Sequence, residues 1–428
     1  KDWRVGALPG EEFEEKGRDT EEGLKAAKLL ESYGYDALDT DVGTYDAWWW
    51  NHPPMYQKKG LYREYCKMVK EVVNIPVFCA GRMDNPDMAL EAIENGECDV
   101  IDLGRPLLAD PDYCNKLRCG NVTQIRPCIS CQEGCMGRVA SYSLLNCAVN
   151  PQAARERVNA YEPILKKKKV LIVGGGVAGC EAARVLAIRG HEPVVYEKGN
   201  RLGGNLIPGG APDFKEDDIA LADWYTNELD RLGVSVHLNT QLNEDEIKAM
   251  DFDTLILATG SKPKVFSLGD DKHTYTAEQV LLKQKDAGKN TVVVGGGLVG
   301  CETALWLAQN GIHVTIVEAL DKVMAVNGPL CAANKEMLEA LLPFNGVDIV
   351  TGAKVTSFDN GKVELDTKEG AKSIECDSVI LSVGYKEENT LYNKLQFEVP
   401  DIYLLGDAKK VSNIMYAIWD AFEVANHI

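Results

Sequence analysis

Short apolar runs alternate with amphipathic segments over the first 120 residues. The apolar runs predict strands at 3–8, 37–41, 76–80 and 99–103, and the periodic segments predict helices at 20–33, 61–73 and 86–95. Such alternation is typical of parallel strands joined by right-handed crossovers. Residues 1–120 are therefore expected to form either part of a (β/α)8 barrel or a small open sheet.

A second pattern begins near residue 168 and occurs twice. An apolar strand at 170–173, a glycine-rich turn, a helix to Arg189 and a strand at 192–197 are followed later by the same series, with strands at 291–294 and 313–318. This repetition predicts an internal duplication of a βαβ unit. Residues 121–160 lie before both copies, are rich in Cys, Gly, Asn and Pro, and predict an irregular connector that binds a cofactor.

The first glycine-rich turn has the G-x-G-x-x-G spacing of dinucleotide-binding folds. Gly174, Gly176 and Gly179 follow an apolar strand and open a helix. The first glycine permits a tight turn, the second lets a pyrophosphate approach the backbone, and the third lets helix and strand pack closely. Glu197 ends the next strand, where a carboxylate binds a ribose.

The second turn repeats this arrangement with Gly295, Gly297, Gly300 and the strand-ending Glu318. A carboxylate at this place accepts a hydrogen bond from the ribose 2′-OH and repels a 2′-phosphate. The next two residues, Ala and Leu, supply no arginine for a phosphate. The second site is therefore expected to prefer NADH over NADPH.

Four cysteines in the connector have the spacing of metal ligands: Cys128, Cys131, Cys135 and Cys147 are separated by 2, 3 and 11 residues. Four thiolates can surround a 4Fe-4S cluster. Zinc is the alternative, although zinc sites with four cysteine ligands usually have two C-x2-C pairs and only one is present here. The other nine cysteines lack such spacing and are expected to be packing residues: Cys66, Cys79, Cys98, Cys114, Cys119, Cys180, Cys301, Cys331 and Cys376.

The net charge of the chain limits the kinds of molecule that it is expected to bind. A formal net charge of -19 and a pI near 4.9 argue against nucleic acid and anionic membranes, because an acidic surface repels phosphate. No apolar run approaches the roughly 20 residues that span a bilayer, so a cytoplasmic protein without a membrane partner is expected. The first residue is not Met and a predicted strand follows at once, which suggests N-terminal truncation.

Two short motifs resemble those of flavoprotein reductases with two dinucleotide sites. Residues 255–260 (LILATG) and 403–408 (YLLGDA) are similar to the ATG and GD motifs of that group. The resemblance implies that the first glycine loop, Gly260 and Asp407 bind FAD, with Asp407 at the ribityl chain. It also implies an FAD domain at 168–288 and 396–428, interrupted by an NADH domain at 289–395.

The whole chain resembles the iron-sulfur members of the Old Yellow Enzyme group, the 2,4-dienoyl-CoA reductases and clostridial 2-enoate reductases. In this family a TIM barrel that holds FMN precedes a four-cysteine connector, and residues 1–120 resemble only the last barrel strands. Two motifs, 79–82 (CAGR) and 103–110 (LGRPLLAD), match the last two strand ends. The resemblance therefore implies FMN contacts from Gly81, Arg82, Gly104 and Arg105.

The loop at 40–52 contains three adjacent tryptophans, Trp48, Trp49 and Trp50. They cannot all point into one core, so at least one is expected to line a pocket or an interface. Related dienoyl-CoA reductases carry a catalytic His where Tyr45 falls. Tyr45 is therefore the candidate proton donor, and a structural role is the alternative.

The resemblance implies reduction of an activated carbon-carbon double bond, with electrons passing from NADH to FAD, a 4Fe-4S cluster, FMN and the substrate. A 2-enoate such as cinnamate is the first candidate, and steroid or bile-acid enones and dienoyl-CoA esters are alternatives. An amine dehydrogenase and an electron-transfer subunit are the remaining hypotheses. We also expect a homo-oligomer.

Overall fold

The computed structural model describes residues 6–13, 15, 17–325 and 330–428. The chain divides into two compact units. Unit 1 comprises residues 1–132 and 331–337, and unit 2 comprises residues 133–330 and 338–428. The division falls between Gln132 and Glu133, within the predicted connector at 121–160, and the bounds of that connector stay a prediction.

Unit 1 contains a parallel three-stranded sheet in the order β1-β2-β3, and these strands confirm three of the predicted ones. The fourth prediction, 3–8, lies outside the described residues except for residues 6–8, which are not strand. The strands are β1 (Leu38–Thr40), β2 (Val77–Cys79) and β3 (Val100–Ile101). The helices are α1 (Thr20–Ser32), α2 (Trp48–Asn51), α3 (Arg63–Lys70), α4 (Pro86–Glu94), α5 (Arg105–Ala109) and α6 (Tyr113–Arg118), followed by a 3-10 turn at Val122–Gln124.

Two helices of unit 1, α1 and α4, begin at residues whose side chains cap them. Asp19 accepts a hydrogen bond from the backbone N–H of Glu22 at the start of α1. Asn85 caps α4 in the same way, and Pro86 occupies its first turn, where a missing N–H costs nothing. A core that includes Tyr62, Cys66 and Cys79 packs these helices on the sheet.

Unit 2 contains two parallel five-stranded sheets, as the predicted duplication requires, together with a three-stranded and a two-stranded antiparallel sheet. The first parallel sheet has the order β18-β7-β4-β5-β6 and the second β12-β11-β10-β16-β9. The strands of these sheets are β4 (Lys169–Val173), β5 (Glu192–Tyr196), β6 (Ser235–His237), β7 (Thr254–Leu257), β8 (Ser261–Pro263), β9 (Thr274–Thr276), β10 (Asn290–Val294), β11 (His313–Val317), β12 (Asp348–Val350), β13 (Ala353–Asp359), β14 (Lys362–Thr367), β15 (Gly370–Glu375), β16 (Ser378–Leu381), β17 (Tyr385–Glu387) and β18 (Ile402–Leu404).

Ten helices complete the described elements, and one of them, α14, continues from the 331–337 segment of unit 1 into unit 2. They are α7 (Met136–Ala140), α8 (Val177–Arg189), α9 (Leu206–Gly209), α10 (Glu216–Arg231), α11 (Glu244–Lys248), α12 (Ala277–Leu281), α13 (Leu298–Gln309), α14 (Ala332–Phe344), α15 (Thr390–Leu395) and α16 (Ile414–His427). Short 3-10 turns lie at Asp213–Lys215 and Gly406–Ala408. Within the described residues, every helix is too short or too polar to cross a bilayer.

The second sheet includes one strand from outside 289–395, the range predicted for the NADH domain, and those domain bounds stay a prediction. Strand β9 pairs with β16, so the sheet includes residues that precede the predicted start at 289. Strand β17 pairs instead with β8, which lies near the other sheet. Both strands are only three residues long, and their pairing depends on distant partners rather than on local periodicity.

Helix α8 is buried along most of its length, including two charged side chains. Arg184 makes a bidentate ion pair with Glu181, with both N–O distances at 2.8 Å. The hydroxyl of Tyr225 donates to Glu181, and Arg184 donates to the hydroxyl of Tyr161. These bonds satisfy charges that would otherwise be costly to bury, and they fix the helix that follows the first glycine loop.

Candidate functional site

The first glycine loop connects β4 to α8 and has no room for side chains at two of its three glycines. Gly174 has φ of +110°, and a Cβ there would lie 2.2 Å from the carbonyl oxygen of Ala258. A Cβ on Gly179 would lie 1.9 Å from the carbonyl oxygen of Gly174. At Gly176 the nearest atom to a Cβ is 3.9 Å away, so open space lies above this glycine at the start of α8. This cradle fits a pyrophosphate.

Glu197 is fixed beside this loop. One carboxylate oxygen accepts from the N–H of Gly175 at 2.7 Å, and the other accepts from the N–H of Gly199 at 2.6 Å. The side chain is buried, and the strand that carries it pairs with β4. A carboxylate held beside a glycine loop in this way fits the ribose of a dinucleotide.

Two further predicted residues lie at the same edge of the sheet. Gly260 follows β7 with φ of +73°, and a Cβ there would meet nothing within 4 Å. Asp407 follows the adjacent strand β18 and accepts hydrogen bonds from Ser261 Oγ at 2.9 Å and from the N–H of Ser412 at 3.1 Å. The fold thus brings the glycine loop, Glu197, Gly260 and Asp407 to the carboxyl ends of neighbouring strands. Sequence reasoning missed Ser261, although it directly follows Gly260.

The second glycine loop has the same geometry. Gly295 has φ of +104°, and its Cβ would lie 2.4 Å from the carbonyl oxygen of Ser382. A Cβ on Gly300 would lie 2.0 Å from the carbonyl oxygen of Gly295, and Gly297 is the N-cap of α13. Ser382 follows β16 as Ala258 follows β7, so the duplication extends to the residue that each loop contacts.

Glu318 matches Glu197 in its hydrogen bonds. Its carboxylate accepts from the N–H of Gly296 at 2.6 Å and from the N–H of Leu320 at 2.8 Å. Both bonds place negative charge beside the second loop. A carboxylate at this position therefore fits a dinucleotide whose ribose has a free 2′-hydroxyl that can donate a hydrogen bond.

Unit 2 contains a buried triad of charged side chains that was not predicted. Lys215 Nζ lies 3.0 Å from Glu302 of α13 and 3.4 Å from Asp218 of α10. Burial raises the pKa of Asp218 to about 6, although the lysine opposes this shift. Glu302 lies two residues beyond Gly300, and its partner is distant in sequence, so no local signal could have paired them.

Unit 1 presents two predicted arginines at neighbouring strand ends. Arg82 follows β2 and is buried, and its Nη1 donates to the carbonyl oxygens of Met55 and Gln57. Arg105 follows β3, and its Nη1 is buried without a hydrogen-bond partner among the described residues. Arg105 therefore has donor capacity available for an anion, whereas one nitrogen of Arg82 is used to hold the chain.

The glycines beside these arginines differ in the space around them. A Cβ at Gly104 would meet nothing within 4 Å. Gly81 has φ of +86°, and its Cβ would lie 2.7 Å from the ring of Tyr62. The open backbone at Gly104 and the unused Nη1 of the following residue, Arg105, are features that fit a phosphate group such as that of FMN.

The three tryptophans of the Trp loop, residues 40–52, have two different kinds of contact. The indole N–H groups of Trp49 and Trp50 both donate to the carbonyl oxygen of Ala7, so these two rings hold the loop to the chain. Trp48 is half-buried, and its ring centroid lies 5.3 Å from that of Tyr45 and 5.2 Å from that of His52. Trp48 is thus the tryptophan available to line a pocket.

Tyr45 and His52, on either side of Trp48, differ in exposure. Tyr45 is 73% exposed. His52 is half-buried, its Nδ1 has no hydrogen-bond partner among the described residues, and burial followed by the charge of Arg105 lowers its pKa. The hydroxyl of Tyr62 donates to the carbonyl oxygens of Trp50 and Asn51 and fixes the loop between them.

The four predicted cysteine ligands are all half-buried. Cys128 and Cys131 belong to unit 1, and Cys135 and Cys147 belong to unit 2. Within unit 2 a Cβ on Gly134 would lie 2.7 Å from the backbone of Cys147, whose carbonyl oxygen accepts from the indole of Trp419 at 3.0 Å. The segment from Cys135 to Cys147 thus folds back onto Gly134, the residue before Cys135. Four thiols are the ligands that an iron-sulfur cluster requires.

Among residues 6–13, 15, 17–325 and 330–428, no group of three or more His, Cys, Asp or Glu side chains is arranged to hold a single metal ion. In a cubane each thiolate binds a different iron atom, so its four ligands need not converge on one point.

The remaining nine cysteines divide by burial. Seven are buried, as the packing prediction requires, and two are exposed: Cys114 and Cys119. The packing prediction is wrong for these two: Cys114 is the second residue of the short helix α6 and Cys119 is its C-cap, and both are exposed.

Two known families match different parts of the chain. The pyridine nucleotide-disulphide oxidoreductase family matches residues 168–421. The NADH:flavin oxidoreductase / NADH oxidase family matches residues 8–124. These segments correspond to the duplicated part of unit 2 and to most of unit 1.

Several individual proteins are similar over nearly the whole chain. A cinnamate reductase of Clostridium sporogenes is 50% identical over 428 residues, which is 100% of this chain and 64% of that protein. An NADH oxidase of Thermoanaerobacter brockii is 37% identical, covering 97% of this chain and 65% of the relative. The solved structure of a 2-naphthoyl-CoA reductase in complex with 2-naphthoyl-CoA has a TM-score of 0.89 and 28% identity, covering 95% of this chain and 62% of that one. The chain thus spans slightly less than two thirds of these relatives.

Proposed function

We propose that this chain, which belongs to the pyridine nucleotide-disulphide oxidoreductase family, passes electrons from NADH to an activated carbon-carbon double bond. The chain also carries part of an NADH:flavin oxidoreductase domain, as iron-sulfur flavoenzymes of the Old Yellow Enzyme type do. The observation that carries this proposal is the pair of equivalent glycine loops, each with a ribose carboxylate, in one chain with a barrel segment and a four-cysteine loop. When bound, the nicotinamide, flavin and iron-sulfur groups supply hydride and single-electron transfer.

The residues of unit 2 bind and orient the two dinucleotides. The open backbone at Gly176 receives the pyrophosphate of FAD, while Glu197 accepts from its ribose and Asp407 from its ribityl chain. Gly297 and Glu318 do the same for the pyrophosphate and ribose of NADH. This assignment is supported by the GD motif after β18, which lies in the first sheet and not in the second.

The cysteine loop, residues 128–147, and the strand ends of unit 1 are proposed to bind the groups that carry electrons after FAD. Cys128, Cys131, Cys135 and Cys147 would hold a 4Fe-4S cluster, and Gly81, Gly104 and Arg105 would contact the FMN phosphate, with Arg82 holding the neighbouring chain. The unused Nη1 of Arg105 supports the phosphate assignment.

Tyr45 and Trp48 are the residues proposed to act on the substrate. The Tyr45 hydroxyl would donate a proton to the α-carbon of the double bond, and the Trp48 ring would stack on a flat substrate. Burial lowers the pKa of His52, which favours the uncharged form of the imidazole that lies near Trp48.

A 2-enoate such as cinnamate is the proposed substrate, supported by the 50% identical cinnamate reductase. A CoA thioester is the second candidate, favoured by the structural similarity to a 2-naphthoyl-CoA reductase. A homo-oligomer and a cytoplasmic location stay predictions from the sequence.

A substrate panel tests the function. The full-length gene product, purified without oxygen, is supplied with NADH and with cinnamate, a steroid enone or an enoyl-CoA ester in turn. We expect NADH oxidation that depends on cinnamate and yields its saturated product. Oxidation with the CoA ester alone would select the second candidate, and oxidation with none of the three would refute double-bond reduction.

The coenzyme preference gives a separate prediction. In the variant Glu318→Gln the negative charge beside the ribose is lost, so a 2′-phosphate is no longer repelled. The ratio of kcat/KM for NADH to that for NADPH, measured with an artificial electron acceptor, should fall at least about tenfold, which corresponds to about 1.4 kcal/mol. The matched control is Glu369→Gln, which changes an exposed carboxylate in the turn between β14 and β15. An unchanged ratio in Glu318→Gln would contradict the assignment.

A further inference from the structure

Gln132 joins three segments of unit 1 that are far apart in sequence. It follows Cys131 directly and is only 1% exposed. Its Nε2 donates to the carbonyl oxygen of His52 at 2.7 Å, and its Oε1 accepts from Sγ of Cys331 at 3.3 Å. The two partners lie 80 and 199 residues away along the chain. One buried amide therefore links the Trp loop, the cysteine loop and the 331–337 segment.

The backbone around Cys131 is strained on both sides. Ser130 has φ of 50° and Gln132 has φ of 59°, in the left-handed region that side chains other than glycine rarely adopt. Such conformations cost free energy and persist only where the surrounding contacts enforce them. The two side-chain hydrogen bonds of Gln132 are contacts of this kind.

The two bonds also require the chemistry of an amide. His52 offers an acceptor and Cys331 a donor, so the side chain between them must donate at one atom and accept at another. An ionised glutamate can only accept, and leucine can do neither. The orientation of the Gln132 amide is therefore set by its two partners.

We propose that Gln132 is a positioning residue for electron transfer, which holds Cys131 in the geometry that sets the reduction potential of the cluster and ties that loop to the Trp loop. This inference rests on the proposed function, because it takes Cys131 as a cluster ligand. The potential of such a cluster depends on the hydrogen bonds and solvent exposure around its sulfur ligands. Loosening the loop at Gln132 changes both.

The test is a potentiometric titration of the full-length enzyme, followed by the EPR signal of the reduced cluster, with iron content and the KM for NADH measured in parallel. In Gln132→Leu we expect the ratio of reduced to oxidised cluster at the wild-type midpoint to change at least tenfold, a shift of about 59 mV for one electron. The KM for NADH should not change, because the second glycine loop is untouched.

A second pair of variants alters only the far end of the link. Cys331→Ala removes the donor and should shift the potential in the same direction as Gln132→Leu. Cys331→Ser keeps a donor and should restore the wild-type potential. Cys376→Ala, another buried cysteine, is the matched control and should leave the potential unchanged. This series keeps the proposal testable if Gln132→Leu does not fold.

The outcomes separate this inference from the proposed function. Wild-type potentials in both Gln132→Leu and Cys331→Ala, with iron retained, would overturn the positioning role and leave the function intact. A wild-type protein without iron or an EPR signal on reduction would instead overturn the cluster assignment itself.

Discussion

Cinnamate-dependent NADH oxidation should fall by at least about 100-fold when Cys147 is replaced by alanine. Loss of a group that merely supports a metal ligand typically costs about 10- to 100-fold in affinity or activity, so loss of a ligand should cost more. Cys147 is half-buried and its backbone packs against Gly134, the residue that directly precedes Cys135. The measurement is turnover by the full-length enzyme together with iron content.

The same variant should still pass electrons from NADH to an artificial acceptor, because both glycine loops lie elsewhere in unit 2. This second activity shows that the fold has survived. Cys119→Ala is the matched control, since Cys119 is exposed and should retain both iron and turnover. Full turnover with cinnamate in Cys147→Ala would remove this cysteine from the electron route.

Gly176→Ala should lower the affinity for FAD at least about tenfold, or about 1.4 kcal/mol. The added methyl group meets no protein atom closer than 3.9 Å, so the chain can fold, but it occupies the space above the loop that the pyrophosphate needs. The measurement is FAD retained on purification, followed by titration of the stripped protein with FAD.

Gly23→Ala provides the comparison, because a Cβ there meets nothing within 4 Å and the position lies in helix α1 of unit 1 rather than in the loop. It should retain FAD as the wild type does. If Gly176→Ala binds FAD normally while keeping the wild-type melting temperature, the first glycine loop does not hold the pyrophosphate.

The duplicated glycine loops were predictable because their chemistry is local. A strand, three glycines at fixed spacing, a helix and a strand-ending carboxylate all lie within about thirty residues, which is the size of one βαβ unit. The structure has the strand, turn and helix at both loops, and in both the carboxylate accepts a hydrogen bond from a backbone N–H of the loop. The dinucleotide contacts of these residues stay predictions. The three described strands of unit 1 were predictable for the same reason, since each is a short apolar run between helices.

Features that depend on distant partners were not predictable. Arg82 matches a phosphate-binding motif, yet one of its nitrogens donates to the carbonyl oxygens of a loop about 25 residues earlier. Cys331 was expected to pack, and its bond to Gln132 joins residues that no periodicity relates. The Lys215–Glu302 pair belongs to the same class. In each case a polar side chain finds its partner only after the chain has folded.

An anaerobic titration with NADH follows electrons along the whole proposed route, from NADH to cinnamate. Full-length enzyme is reduced stepwise, flavin absorbance is recorded, and samples are frozen for EPR before and after cinnamate is added. We expect that NADH bleaches the flavin, that an iron-sulfur signal then appears, and that cinnamate reverses both changes. Bleaching without any iron-sulfur signal, or a signal that cinnamate does not discharge, would contradict an electron route from NADH through the four cysteines to the substrate.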